Sequence, residues 1–209
     1  MTAPLTPPHQ PPHDDPWQSP PAGTSPFLGD DAEKEASEMK TEVRQAAVVL
    51  VVVAVSGLAL GLLWLWLAPR VPLISDATAV FLKDTEGEEA IAADGTFLLL
   101  ALGFGALSAA LVFLFRRRGG IPLVVGLALG GLLGAVLAWQ LGTSLGPTSD
   151  VVAHAKAAGT GVTFDAPLEL NAKGALLAWP VAAMVVHLAL TALFGPRDPE
   201  PEWDWGPPG

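Results

Sequence analysis

The chain has 209 residues, of which 51% are hydrophobic and 15% charged, with a net charge of −10 and no cysteine. So few charges could not cover a soluble domain of this size, and without cysteine there are no disulfides, thiolate metal sites or cysteine nucleophiles. Dense positive charge occurs only at Arg116, Arg117 and Arg118, which argues against a nucleic-acid partner.

Residues 1–29 contain nine of the twenty prolines and few large apolar side chains. Such a segment buries too little apolar area to offset the entropy of ordering, so a disordered tail is expected. Pro8-His9-Gln10-Pro11 has the PxxP spacing of polyproline ligands, a spacing common in any proline-rich stretch. Residues 30–45 are good helix formers with acidic residues first, where the helix dipole favours them. They predict a lead-in helix to the membrane.

Four apolar runs follow, at 46–67, 96–115, 121–141 and 174–194. Each is long enough to cross a hydrocarbon core of about 30 Å at 1.5 Å per helical residue. The first lies too deep in the chain, and is too long, for a cleaved secretory signal. Pro122 suits the opening of the third run, and Gly195-Pro196 the end of the fourth. The expected fold is an all-α membrane protein, a four-transmembrane-helix bundle (46–195) with two small extracytoplasmic loops, one with a short β-hairpin. An acidic disordered tail, 196–209, completes it; Trp203 and Trp205 there suit a protein partner better than an anionic lipid surface.

Lys and Arg placement sets the expected orientation. With the Arg116–Arg118 turn in the cytoplasm, seven cationic residues lie inside and four outside, and the densest cluster occupies the shortest loop. Both termini are then cytoplasmic in a multi-pass plasma-membrane protein. Trp64, Trp66, Trp139 and Trp179 all fall near the outer interface in this topology and are expected to anchor there.

In the first outer loop, residues 78–83 and 88–92 flank Asp84-Thr85-Glu86-Gly87, a pattern that predicts a hairpin. In the second, residues 150–158 predict a helix and 162–165 an extended segment. Each loop is too small to fold alone, so the two are expected to pack together as an outer cap. The approach sequences to runs two and four resemble each other weakly, as a duplicated two-span unit would require, although a chance match explains so short an echo equally well.

Gly126, Gly130 and Gly134, with Ala138 continuing the row, recur every four residues, and Gly57 and Gly61 repeat that spacing in the first run. Such rows form grooves that let another helix backbone approach closely. They could close within one bundle or between copies in a homo-oligomer; four spans that need mutual contacts favour the former. No Asp, Glu, Lys or Arg lies in any run, which argues against a proton-coupled carrier. His187 and Gln140 are the main intramembrane polar candidates, with Pro180 upstream of His187 expected to kink the fourth span. A neutral structural role for His187 is favoured because no charged partner is available to it.

The acidic run Asp84, Glu86, Glu88, Glu89 and Asp94 fails the calcium-loop template, since glycine falls at its fourth position and Gly95 at its twelfth. A solvated acidic turn is expected, with no metal and no cofactor. Ser144 and Thr160 have no adjacent base, so hydrolase chemistry has no support.

Trp64-Leu-Trp-Leu-Ala-Pro-Arg-Val-Pro-Leu73, Phe81-Leu-Lys-Asp, Ala92-Ala-Asp-Gly95, residues 162–170 and the Trp179-Pro180 pair carry a resemblance over roughly residues 46–195. They resemble a family of small four-span actinobacterial membrane proteins with no assigned activity. The resemblance implies a plasma-membrane location and no mechanism. The function expected is that of a non-enzymatic protein embedded in the lipid bilayer and binding other membrane or envelope proteins; the alternative is a permease-like transport component.

Overall fold

Helices α1 (Phe27–Leu67), α2 (Glu89–Phe115), α3 (Ile121–Leu145) and α5 (Ala178–Phe194) carry the fold. A short helix, α4 (Val151–Ala158), and strands β1 (Pro72–Ser75), β2 (Val80–Leu82) and β3 (Thr163–Asp165) lie in the connections, and a 3₁₀ turn, Lys173–Leu177, leads into α5. The computed structural model describes residues 27–76, 78–116 and 120–195, with side chains from residue 36 onward. The chain divides into two units, Met1–Ser37 and Glu38–Gly209; the first is described only as the helical start of α1, and the bundle belongs to the second. The segments Ala36–Leu67, Glu89–Phe115, Ile121–Leu145 and Lys173–Phe194 are long and apolar enough to cross a membrane, making this a multi-pass helical membrane protein.

Helix edges differ from the apolar runs. The expected tail at 1–29 lies outside the described residues as far as residue 26, and α1 already begins at Phe27. The acidic tail 196–209 and the side chains of Arg117 and Arg118 also lie outside them. Helix α2 starts at Glu89, because Glu89-Ala-Ile-Ala-Ala is helix-forming and places a carboxylate in the first turn. Pro180 falls in the first turn of α5, after the 3₁₀ segment, so its ring interrupts no established α-helix; the irregularity expected of span four takes the form of that 3₁₀ entry.

A hairpin is present, but β1 and β2 form it, in place of the segments around Asp84–Gly87. Its turn is set by Asp76, whose carboxylate accepts hydrogen bonds from the Thr78 and Ala79 amides and the Thr78 hydroxyl, each at 2.7 Å. This side chain–backbone turn is available to Asp and closes the hairpin one turn earlier than alternation alone suggests. Strand β3 of the second loop adds antiparallel to β1, giving the order β2-β1-β3 and knitting the loops into one cap.

Within the bundle, α1 runs parallel to α3 with backbones in direct contact. Methyls placed on Gly57, Gly61, Gly126 and Gly130 would collide with Gly134, Ala138, Ala46 and Leu50 of the facing helix. The row continues to Gly142, whose missing side chain makes room for the Trp64 ring. Helix α2 pairs with α5 the same way: a methyl on Gly105 would lie 2.6 Å from the Trp179 carbonyl oxygen. Missing side chains therefore determine how near the helices come, and dispersion across the seam holds them where no solvent drives association.

Gly130→Leu is expected to cost about 3 kcal/mol or more by overpacking, because a methyl there already meets the Leu50 carbonyl oxygen at 2.9 Å. Gly103→Leu, with nothing within 4 Å, should be tolerated. Thermal unfolding of both variants in mild detergent checks this; equal melting temperatures would remove the seam argument.

Candidate functional site

Trp64 and Trp179 are fully buried, which corrects the interfacial role expected for them. Each finds an internal partner for its indole N–H: Trp64 donates to the Ala93 carbonyl at 2.9 Å, and Trp179 to the Ser108 hydroxyl at 3.3 Å. With that polar atom satisfied, the ring gains more from core packing than from a headgroup layer. Trp64 meets Phe97 edge to face at 5.1 Å, and Trp179 lies 5.3 Å from Phe104. Trp66 is 82% exposed, and Trp139 is half-buried under Lys173, whose Nζ sits 4.2 Å from the ring centroid.

His187 and Gln140 are not brought together. His187 is buried on α5 against α2, with Phe113 at 6.4 Å and the Ala109 backbone in reach, while its Nδ1 has no partner. Gln140 is exposed towards the cap end of α3. Among the described residues, no other side chain hydrogen-bonds to the His187 ring. The Ser56 and Ser108 hydroxyls donate to Val53 and Gly105 carbonyls of their own helices.

The polar surface that converges lies at the cap. A cleft of about 900 Å3 is walled by Trp139, Thr143, Thr148, Glu169, Asn171 and Lys173. Ser149, Pro167, Leu168, Glu169 and Asn171 are shared with a second hollow of about 280 Å3, which Arg70 also lines. Arg70 donates through Nη2 to the Leu65 carbonyl at 2.8 Å, satisfying the end of α1, and its buried Nη1 has no protein partner. Thr143 and Ser144 donate to helix carbonyls behind them, so neither hydroxyl is paired with a base.

Asp94, grouped in the sequence with the acidic run, has a separate task. Its two carboxylate oxygens accept the Asn171 and Ala172 amides at 3.0 and 2.8 Å, fixing the cleft's far wall to α2. Asp84 accepts from the Glu86 amide, in an exposed turn. Among the described residues, no three His, Asp or Glu side chains gather as a metal site. Asp150 caps α4 by accepting from the Ala153 amide, and His154 packs on Phe164 at 4.9 Å inside a small core with Leu73 and Ala155. Asp94, Arg70 and Gly142 carried no local motif that singled them out, except that Gly142 extends the four-residue glycine spacing.

No family model, curated protein or solved structure matches this chain.

Two outcomes are expected. Asp94→Ala should loosen the joint by about 1–3 kcal/mol, the range for a charge-assisted hydrogen-bond pair; faster amide exchange at Asn171 and Ala172 is the readout, and unchanged exchange contradicts it. The hydrogen bonds from Thr78 (side chain first, then backbone) and from Ala79 hold the Asp76 carboxyl below its ordinary 3.8. A depressed carboxylate pKa adds stability that is complete above the unfolded value and lost as pH falls through the folded one. Amides at Thr78 and Ala79 should therefore stay protected down to 3.8 and open only below it; loss of protection between pH 5 and 4 contradicts this.

Proposed function

We propose that this protein is a non-catalytic recognition component of the plasma membrane, with both termini cytoplasmic and the β-stitched cap outside. Its cap cleft binds another membrane or envelope protein. The observation that carries this is a contrast between interior and cap. Trp64, Phe97, Leu60, Leu127 and Trp179 fill the bundle, and no apolar run contains a charged residue, whereas the large polar cleft lies at the cap. A filled, uncharged interior suits an anchor better than a conduit. A concave polar wall with an aromatic floor suits recognition, since aromatic side chains rimmed by polar groups anchor interfaces. The basic Arg116–Arg118 turn supports the cytoplasmic assignment of the opposite end. The resemblance of the loop motifs to small four-span actinobacterial membrane proteins supports the plasma-membrane part of this reading.

Reporter enzymes fused after Gly120 and within residues 148–158 should report cytoplasmic and external locations respectively. A photo-crosslinking residue at Thr148 should capture a discrete protein in the native cell, and Glu169→Arg with Lys173→Glu should cut that adduct about tenfold or more. Reversed sidedness, or adducts indifferent to the cleft charges, would overturn the reading. Solute flux by the purified chain in proteoliposomes would favour the transport alternative.

A further inference from the structure

Helices α1 and α2 meet at the cap end, where Trp64 reaches Ala93 and Phe97, and part towards the arginine turn. Between them lies a lateral cleft of about 570 Å3. One wall runs from Thr41 to Ser56 on α1 and the other from Phe104 to Arg116 on α2. Its body is valine, leucine and phenylalanine; its mouth carries Arg44 and Arg116, both exposed.

We propose that this cleft is a binding site for one anionic phospholipid, with an acyl chain between α1 and α2 and the phosphate at Arg44 and Arg116. Its length and its charges favour that occupant. The span from Arg44 to Ser56, matched by Phe104 to Arg116 just past the end of α2, covers twelve residue steps, about 18 Å at 1.5 Å per step. One leaflet of the hydrocarbon core is roughly 15 Å deep, so the cleft fits a single acyl chain from headgroup level to mid-bilayer.

The charges decide between lipids. Neither arginine forms an ion pair among the described residues, and the nearby Glu42 carboxylate is turned towards Gly120 at the start of α3, outside the cleft lining. Two unpaired guanidiniums at headgroup depth match a phosphate carrying net charge, and basic pockets between spans recognise anionic headgroups. The walls below offer no competing polar group: Ser56 and Ser108 donate to carbonyls of their own helices, which leaves methyl and methylene surface for the chain. The site is independent of the cap cleft and of which side of the membrane the mouth faces.

The test uses the full chain in detergent, titrated with phosphatidylglycerol or phosphatidylcholine of identical acyl chains and read by native mass spectrometry and thermal unfolding. One tightly retained phosphatidylglycerol per chain is expected, with stabilisation that phosphatidylcholine does not reproduce. Arg44→Gln with Arg116→Gln should weaken retention about tenfold or more, and the corresponding Lys pair should largely restore it. Val52→Trp, at an exposed cleft-lining position, should block the site while the charges remain. Equal retention of both lipids, or phosphatidylglycerol retention unaffected by both the Gln pair and Val52→Trp, would overturn the proposal. So would a cross-link from residue 52 to a second copy of the chain that persists when phosphatidylglycerol is supplied.

Discussion

The bundle depends on how closely neighbouring helices approach α3. In a bilayer the surrounding lipid is as apolar as leucine, so exclusion from solvent supplies no force between helices, and close contact must do so. Helix α3 offers glycine or alanine at 126, 130, 134, 138 and 142, and α1 lies along that row with its backbone in contact. Gly134 has neighbours on two sides: the Val53 carbonyl oxygen and the Trp179 ring would each stand 3.1 Å from a methyl placed there. One missing side chain thus fixes α1 and α5 together. The Trp179 indole then donates to Ser108, and α2 is held by the same residue. A filled aromatic interior with satisfied N–H groups follows from that geometry.

The cap is coupled to the bundle at one point on α2. The Ala93 carbonyl receives the Trp64 indole, and the carboxylate of the next residue, Asp94, receives two amides of the second loop. The end of α1, the start of α2 and the entry to α5 are therefore positioned by adjacent residues. With β3 paired to β1, the two loops form a single surface; the smaller hollow is lined from both loops, the larger cleft from the second loop and the end of α3. At the opposite end, among the described residues, no side-chain hydrogen bond draws α1 and α2 together. The bundle is closed under its cap and laterally open towards the arginine turn, which puts the two clefts, and the two roles proposed for them, at opposite ends.

The pairing of α1 with α3 and of α2 with α5 is parallel, as alternating crossings of the chain require. The contacts are made by different chemistry. The first pair uses a glycine row, and the second uses Gly105, Phe104 and Ala109 against Trp179, Ala183 and His187.

How much was legible in the residues follows from the range of each constraint. Hydrocarbon acts on every segment separately, so run length and the absence of charge were enough to mark four spans, and the spacing of Gly126, Gly130 and Gly134 was enough to mark a contact face. The extended stretch at 162–165 and the helix at 150–158 were likewise local, fixed by composition and by the Asp150 cap. Trp64 and Trp179 looked interfacial because a sequence records their depth and omits the carbonyl or hydroxyl waiting across the bundle. Asp94 looked like one more acidic loop residue because its partners, Asn171 and Ala172, are far away along the chain. The sequence by itself determined which segments lie in lipid, since burial in a membrane is a property of each segment. Only the tertiary structure decided which aromatics become core, which carboxylate joins the loops and where a cleft stays open, since each depends on groups distant in sequence meeting within a few ångströms.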